Sequence, residues 1–510
     1  MEDYRTVIGL LTKGAFCATI DLKEAYLLVP IDNSQRQFLR FIYNNKYYEF
    51  NALPYGLCSA PCVFTKIMKV VVTHLRSRGL NSVIYLDDIL CIGSNYISCL
   101  KNVQETTKLL ECLGLIINKE KSALEPKQKF KYLGFQFNST NMTISLPNDK
   151  RVIVSTLVSK FIKIKHCTIR ELSKLIGTLT AVCPAIEYGW LYTKILERQK
   201  YLTLIQNNSN YDATITLPSI IKEDLSWWSL KISNTCKHIR KNQYTKEIYT
   251  DASRTGWGCV CGKEKVNGLW KISEQEYHIN YLELKAVFLG LKLFAKYEKN
   301  CEILLRVDNT TAISYVNRMG GIQFPHLNQL ARNIWQWCEE RHIKLTASYI
   351  SSKENTEADF ESRKTNIDTE WELCEKAYNI ITKELGMPEI DLFASRQNAK
   401  CSKYISWKQD PEALNIDAFT INWGNLYFYA FPPFSLILKC LQKIKNDKAI
   451  GIVVIPWWPS QPWFPLAQIL LISDWIIFKP HKKLLLSPFR ITHPLYQQLT
   501  LVAGKLSGKH

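Results

Sequence analysis

The stretch VIYLDDIL at residues 83–90 constrains the fold of this chain more than any other part of the sequence. Apolar, β-prone residues run directly into Asp87 and Asp88, and apolar residues resume at once. Unpaired carboxylates beside a buried strand are very costly, and a bound cation removes that cost. The stretch therefore predicts a metal site at the end of a strand. The alternative is an acidic pair that merely occupies a hairpin turn.

A metal site of this kind needs a further carboxylate, and the segment TIDLKEAY supplies Asp21 at the end of another apolar strand. Carboxylate oxygens suit Mg²⁺, which keeps water and substrate phosphates in its remaining positions. Two such ions about 3.5–4 Å apart can stabilise both the attacking and the leaving oxygen in phosphoryl transfer. We therefore expect Asp21 to lie beside the Asp87–Asp88 pair.

Five segments, in the order DLKEAY, LPYGLCSAP, YLDD, LGLIINKEKS and YLGF, resemble the palm of a retroelement reverse transcriptase over residues 8–137. The resemblance implies that Asp21, Asp87 and Asp88 are catalytic metal ligands, with the Asp87–Asp88 pair at a hairpin tip. It implies two Mg²⁺ ions per active site, with Mn²⁺ as the alternative ion. The implied reaction is the addition of deoxynucleotides to a primer 3′-OH on an RNA template.

The same resemblance implies roles in nucleotide and primer binding. Tyr26 matches the aromatic residue whose ring excludes a ribose 2′-OH, and its alternative is an ordinary core tyrosine. A solvated surface lysine is the alternative for Lys121. The positions implied to bind nucleotide are Tyr26, Tyr55, Gly56 and Lys121, and those implied to form the primer grip are Tyr132, Leu133 and Gly134.

One departure from the family concerns the fingers. Only 20 residues precede Asp21, whereas the family has Lys and Arg residues upstream that clamp the triphosphate. The expectation is therefore a truncated fingers segment, in a fragment or in an impaired polymerase. A non-catalytic remnant that still binds nucleic acid is the rival interpretation.

A second set of acids resembles the active site of ribonuclease H, over residues 246–363. The segments TDAS, YLELKA, RVDNTTA and KENTEADFESR contain, in this order, Asp251, Glu283, Asp308 and Asp359. The resemblance implies that these residues bind two Mg²⁺ ions and that water hydrolyses the RNA strand of an RNA–DNA hybrid. Tyr349 stands where many relatives have a histidine, and Ser351-Ser352 replace Pro-Gly, so we expect a slower enzyme.

The last segment resembles the degenerate adenine-methyltransferase-like domain that follows ribonuclease H in DIRS-type retrotransposons, which encode a tyrosine recombinase elsewhere. DLFAS and AFPPF match two methyltransferase motifs incompletely. No glycine follows Phe393, and Phe431 replaces the residue that would accept a hydrogen bond from the target amino group. The resemblance implies a Rossmann-like fold without methyl transfer, and a working methyltransferase is the alternative.

Together these features predict a multidomain protein of mixed α+β and α/β class. The predicted segments are a reverse-transcriptase palm with truncated fingers (1–137), a helical, basic thumb and connection (138–245), a ribonuclease H-like domain (246–363), a linker (364–387) and a Rossmann-like domain (388–510).

Charge and cysteine usage limit the partners and the location. The net charge is +19, from 65 Lys and Arg against 46 Asp and Glu, which favours a polyanionic partner. The expected partners are an RNA template, a DNA primer, an RNA–DNA hybrid and dNTPs, with no membrane; the oligomeric state stays open. The 16 cysteines form no disulfide or zinc pattern, and the N-terminus has no secretory signal. An intracellular protein, cytoplasmic or nuclear and not secreted, is therefore expected.

Overall fold

The computed structural model describes residues 2–234, 236–239, 243–364, 371–487 and 490–509. Contacts divide the chain into two units, Met1–Gln243 and Tyr244–His510. Each unit therefore contains more than one of the segments predicted from the sequence. None of the helices in the described ranges is both long enough and apolar enough to cross a bilayer.

The first half of the first unit is a sheet covered by two long helices. Its strand order is β4-β5-β1-β6, and β7 also pairs with β1. Apolar residues of α3 at helical spacing, including Phe64 and Met68, are buried against Ile20 of β1. The elements are α1 (Tyr4–Leu10), β1 (Phe16–Lys23), α2 (Asn33–Arg36), β2 (Arg40–Tyr43), β3 (Lys46–Glu49), α3 (Ala60–Ser77), β4 (Asn81–Tyr85), β5 (Asp88–Gly93), α4 (Tyr96–Cys112), β6 (Ile116–Ile117) and β7 (Ala123–Lys127).

The second half of the first unit contains four helices and a small antiparallel sheet of order β13-β10-β9-β8. The predicted boundary between residues 137 and 138 falls inside β9, which pairs with both β8 and β10, so the small sheet has strands on both sides of this boundary. The elements are β8 (Lys129–Tyr132), β9 (Phe135–Asn138), β10 (Thr143–Ser145), α5 (Asn148–Lys163), β11 (His166–Thr168), α6 (Ile169–Val182), α7 (Lys194–Gln206), β12 (Thr214–Thr216), α8 (Ser219–Asn234) and β13 (Cys236–His238).

The second unit begins with a five-stranded sheet of order β16-β15-β14-β17-β18. Strands β14, β15 and β16 are antiparallel, whereas β14, β17 and β18 run parallel. The elements are β14 (Lys246–Ala252), β15 (Gly256–Cys261), β16 (Glu264–Leu269), α9 (Ile272–Gln275), α10 (Ile279–Phe294), β17 (Glu302–Val307), α11 (Thr310–Asn317), α12 (Pro325–Glu339), β18 (Lys344–Tyr349) and α13 (Thr356–Arg363).

The second sheet of this unit has the order β20-β23-β24-β27-β25. Strands β20, β23 and β24 are parallel, and β27 is antiparallel to both of its neighbours. The elements are β19 (Glu372–Leu373), α14 (Glu375–Leu385), β20 (Ile390–Asp391), β21 (Ile405–Ser406), β22 (Asn415–Ile416), β23 (Tyr427–Ala430), α15 (Ile437–Asn446), β24 (Ile450–Pro456), α16 (Phe464–Leu470), β25 (Ile476–Phe478), β26 (Leu485–Leu486) and β27 (Leu501–Ser507).

The predicted linker 364–387 is wrong over most of its length, because α14 is part of a hydrophobic core. Ala377, Tyr378 and Ile381 form one face of α14 and are buried with Ile452 and Val454 of β24. Strand β19 also pairs with β26. Residues 365–370 of the predicted linker lie outside the described residues.

Candidate active sites

Strand pairing brings together the three acids of the first unit. Asp21 at the end of β1 lies directly opposite Asp88 at the start of β5. Tyr85 pairs with Asp88, so Leu86 and Asp87 form the two-residue turn between β4 and β5. Leu86 has a φ of 56°, as the first central residue of a type II′ hairpin turn does. The turn leaves Asp87 exposed at the tip, beside Asp21 and Asp88.

Negative charge accumulates at this hairpin. Burial, with the charges of Asp87 and Asp21, raises the pKa of Asp88 to about 6, and the charge of Lys121 opposes this rise. A carboxyl group that resists ionisation for these reasons is stabilised in its charged form by a cation. The three acids therefore fit a divalent metal, and they are the residues that would hold it.

A basic cleft of about 360 Å³ opens next to Asp21 and Asp88. Its wall contains three lysines, and only Lys121 was expected from the sequence. Lys131 lies on β8, and Lys150 comes from α5 with its ammonium 5.6 Å from the ring centroid of Phe135. Three lysines in the wall of a cleft that also contains two carboxylates suit a phosphate-bearing ligand held beside a metal. The lining residues are Thr19, Ile20, Asp21, Asp88, Lys121, Lys131, Tyr132, Leu133, Gly134 and Lys150.

Tyr26, the residue predicted to exclude a ribose 2′-OH, lies close to the hairpin tip. Burial raises the pKa of Tyr26, and the charge of Asp87 adds to this effect. The ring centroid of Tyr26 is 5.3 Å from that of Tyr55 and 5.4 Å from that of Phe64. Tyr55 is exposed, and Gly56 follows it with a φ of 89°, a conformation that favours glycine. The structure thus groups Tyr26, Tyr55 and Asp87, while the nucleotide-binding roles stay predictions.

The three residues predicted as a primer grip form the hairpin between β8 and β9. Leu133 and Gly134 are its turn, with φ values of 46° and 74°. Tyr132 is buried, and its hydroxyl lies 3.1 Å from the carbonyl oxygens of both Val83 and Asp88. The hydroxyl of Tyr132 therefore supports the acidic hairpin, while the primer-binding role of Tyr132, Leu133 and Gly134 stays a prediction.

Ser122 is a residue of this site that the sequence interpretation missed. Its hydroxyl accepts a hydrogen bond of 3.0 Å from the backbone N–H of Asp21 and donates one of 2.6 Å to the carbonyl oxygen of Asn118. Ser122 thereby ties the segment that carries Lys121 to the end of β1. Its position directly after Lys121 in NKEKS was the available signal.

The second unit contains a closer acidic cluster. Asp251 on β14, Glu283 on α10 and Asp308 after β17 each place one carboxylate oxygen within 4.8 Å of the others, the single such group among the described residues. Asp251 and Glu283 are buried, and Oε2 of Glu283 has no hydrogen-bond partner. Burial, with the charges of Asp251 and Asp308, raises the pKa of Glu283 to about 9. A buried carboxylate oxygen without a partner, beside two more acids, fits a divalent cation.

Asp359 on α13 lies near this cluster but outside the close group. Burial raises the pKa of Asp251, and the charges of Asp308 and Asp359 raise it further. Oδ1 of Asp359 accepts hydrogen bonds from Nε and Nη2 of Arg363, at 2.9 and 2.6 Å. The structure therefore assembles three of the four predicted acids and pairs the fourth with an arginine.

Two polar residues after β18 support the cluster. The hydroxyl of Ser352 donates a hydrogen bond of 2.7 Å to Oδ2 of Asp308, a contact that the sequence interpretation missed. Nδ2 of the buried Asn355 donates a hydrogen bond of 3.1 Å to the carbonyl oxygen of Thr250, directly before Asp251. Tyr349, at the position of the family histidine, is exposed. The loop after β18 thus orients two of the acids.

Part of the first unit matches the model of a known protein family. Residues 2–137 match the family model described as reverse transcriptase (RNA-dependent DNA polymerase). The chain is 25% identical over 397 residues to a putative enzymatic polyprotein of Cassava vein mosaic virus, covering 72% of this chain and 55% of the relative. It is 25% identical over 388 residues to the enzymatic polyprotein of Cauliflower mosaic virus (strain D/H), covering 71% and 52%. The chain thus spans about half the length of these relatives.

Among solved structures, the chain is similar to a foamy viral protease-reverse transcriptase in complex with double-stranded DNA. The TM-score is 0.42 with 16% identity, covering 69% of this chain and 60% of the other. The same protein in complex with an RNA/DNA hybrid gives a TM-score of 0.40. TM-scores below 0.5 do not establish a common fold, so the assignment rests on the match of the family model and on the viral relatives. Residues 2–137 form a reverse transcriptase domain, in a chain that is similar to polyproteins of the retroelement type.

Proposed function

We propose that this chain is an RNA-directed DNA polymerase with an associated ribonuclease H activity, from a DIRS-type retrotransposon. One observation carries the polymerase: Asp21 lies opposite Asp88, with Asp87 at the hairpin tip, inside a reverse transcriptase domain. The substrates proposed are a DNA primer on an RNA template and dNTPs. The net charge of +19 supports polyanionic partners.

Each part of the polymerase site has a proposed task. Asp21, Asp87 and Asp88 would hold Mg²⁺, with Mn²⁺ as the alternative ion, and the bound metal would supply positive charge at the reacting phosphate. The lysines of the basic cleft bind the phosphates of the nucleotide and the primer by charge-assisted hydrogen bonds. Tyr26, beside Asp87, excludes a ribose 2′-OH.

Primer extension on an RNA template tests this proposal. The double variant Asp87→Asn, Asp88→Asn is expected to lose all detectable incorporation while its circular dichroism stays that of the wild type. Glu111→Gln, which removes an exposed acid on α4, is the control and is expected to keep full activity. Wild-type-like extension by the double variant would refute the proposed site. Hybrid binding without incorporation by the folded wild type would favour the non-catalytic rival.

The acidic cluster of the second unit supports the ribonuclease H activity. Two Mg²⁺ ions would be held by Asp251, Glu283, Asp308 and Asp359. Asp359 would then bind metal in place of the side chain of Arg363. A water molecule is the proposed nucleophile, and the RNA strand of an RNA–DNA hybrid is the substrate.

Cleavage of a labelled RNA strand tests the activity on three substrates, which are the hybrid, single-stranded RNA and double-stranded RNA. Only the hybrid is expected to be cut, and Asp308→Asn is expected to abolish cleavage. Cleavage that survives Asp308→Asn would contradict the assignment. Because Tyr349 replaces a histidine, Tyr349→His is expected to raise the cleavage rate.

For the last segment we infer a Rossmann-like fold that is similar to methyltransferases but does not transfer methyl groups. Its parallel strands β20, β23 and β24 support the fold. Phe393 follows β20, Phe431 follows β23, and both line a cavity of about 810 Å³. Transfer of a radiolabelled methyl group from S-adenosylmethionine to DNA is expected to be absent, and its detection would overturn this inference.

An intracellular location, cytoplasmic or nuclear, is part of the proposal. None of the 16 cysteines is in a disulfide, which supports a reducing compartment.

A further inference from the structure

The C-terminal segment of the second unit packs against α10, the helix that carries Glu283. The contacts come from residues 396–413, which lie between β20 and β22. Nζ of Lys292 on α10 is 3.3 Å from Oε1 of Glu412, and Nζ of Lys296 donates a hydrogen bond of 3.2 Å to the carbonyl oxygen of Ala413. Residues 396–413 therefore contact the C-terminal half of α10 at Lys292 and the residues just after the helix at Lys296.

Arg396 is the centre of this contact. Its side chain is 5% exposed, although a guanidinium is expensive to bury without partners. Nη2 of Arg396 donates to Oε1 of Glu274 on α9, and Nε donates a hydrogen bond of 3.2 Å to Oε2 of Glu412. Nζ of Lys285 on α10 is 4.0 Å from the same oxygen of Glu274. Arg396 thus links two acids that also pair with lysines of α10.

A neighbouring side chain strengthens the attachment. Nε2 of Gln397 donates a hydrogen bond to the carbonyl oxygen of Leu269, at the end of β16. The segment between β16 and α10 is therefore held at two points, at Leu269 and at Glu274.

Two lysines that pair with Glu274 and Glu412 lie on one face of α10. Lys285 and Lys292 are separated by seven residues, so at 3.6 residues per turn they lie on the same side of the helix, and Lys296 follows two residues after its end. Glu283 precedes Lys285 by two residues and therefore projects from the opposite side, toward the acidic cluster. Residues 396–413 thus contact α10 on the side opposite to Glu283.

We propose that residues 396–413 position the acidic cluster, with Arg396 as the positioning residue that holds α10, and hence Glu283, against its sheet. The role of the C-terminal segment is then to brace the neighbouring site. Its consequence for catalysis rests on the proposed ribonuclease H activity, whereas the mechanical role does not.

Hydrogen exchange of the full-length, metal-free protein tests the mechanical role. In Arg396→Met, amides of α10 are expected to exchange at least about tenfold faster than in the wild type, while those of β24 keep their protection. Lys445→Met removes an exposed positive charge from α15 in the same segment and is expected to change neither. Unchanged protection of α10 in Arg396→Met would overturn the proposal.

A milder variant is used if the amides of β24 also exchange faster in Arg396→Met. Glu274→Gln leaves Arg396 in place and removes the negative charge on α9 that both Arg396 and Lys285 face. Faster exchange confined to α10 is expected, and unchanged exchange would refute the role of the Arg396–Glu274 pair. Arg396→Lys, which keeps the charge, is expected to restore part of the protection that Arg396→Met loses.

Metal binding and cleavage then separate the two proposals. Titration with Mn²⁺ is expected to show weaker binding to Arg396→Met than to Lys445→Met, and equal binding would contradict the positioning of Glu283. Hybrid cleavage is expected to fall mainly in kcat, because residues 396–413 contact α10 on the side away from the cluster. If the wild type does not cleave the hybrid although its α10 amides are protected from exchange, the ribonuclease H activity is refuted. The mechanical role of residues 396–413 would still stand.

Discussion

Replacing Glu283 by Gln should flatten the pH dependence of the stability of the metal-free second unit. Burial, with the charges of Asp251 and Asp308, raises the pKa of Glu283 from 4.5 to about 9 in the folded protein. Between these pH values, the folded state holds a proton on Glu283 that the unfolded state has released. The free energy of unfolding therefore falls as the pH rises across this window.

The magnitude follows from the linkage of one proton. The contribution of Glu283 to stability is fully present below its unfolded pKa and is lost as the pH rises through its folded pKa. The slope is about 1.4 kcal/mol per pH unit, so the wild type should lose about 2.7 kcal/mol between about pH 6 and about pH 8 from this group. A glutamine has no proton to release, so Glu283→Gln should lack this loss. The effect of Asp251 stays in both proteins.

Urea unfolding measured by pulse proteolysis is the assay, because fragments from residues 244–510 report the second unit separately. Wild type and Glu283→Gln are compared in EDTA at both pH values. The control is Glu276→Gln, which removes an exposed acid directly after α9. The control should follow the wild type. Saturating Mg²⁺ should restore the wild type at the higher pH, because the ion stabilises the charged carboxylate. Parallel pH curves for wild type and Glu283→Gln would refute the burial argument.

Three further predictions concern single side chains. Incorporation of nucleotides by the wild type should fall below about pH 6, as Asp88 takes up a proton. Lys121→Met should move this fall to higher pH, because the charge of Lys121 lowers the pKa of Asp88. An identical pH–rate profile for the two proteins would contradict this coupling. Tyr132→Phe should destabilise the first unit by about 1 kcal/mol, measured with its own proteolytic fragments, because the hydroxyl contact with the acidic hairpin is lost. Gly258→Ala should cost about 1–3 kcal/mol in the second unit, because a Cβ would lie 2.3 Å from the backbone of α13; Mn²⁺ titration should show weaker binding, since α13 carries Asp359.

Local features of the first unit followed from the sequence. Asn44 and Asn45 form the turn between β2 and β3, with φ values of 46° and 58°. Such turns depend on residues that tolerate positive φ, which is a local property. The helices α3 and α10 also follow their apolar spacing. The adjacency of Asp21 and Asp88 was expected from the order of the motifs, and the antiparallel register places them opposite each other.

Features that depend on distant partners were predicted less well. The linker prediction missed α14, because the short apolar face of Ala377, Tyr378 and Ile381 gains its significance only when β24 covers it. The boundary at residue 137 divided β9 from its partner β10. Lys150 reaches the cleft of the first unit from α5, and no local pattern separates it from the other lysines of the chain.

The sequence by itself identified the candidate residues, which are acids at the ends of apolar strands and on helices, in an order that resembles two phosphoryl-transfer sites. These patterns are local, so they can be recognised in the sequence without knowledge of the tertiary structure. The tertiary structure alone decided how those acids behave. It buried Glu283 beside two other carboxylates, paired Asp359 with Arg363, and paired Arg396 with Glu274 of α9. Burial and charge proximity arise from packing between distant segments, and they set the pKa values and the rigidity on which metal binding depends.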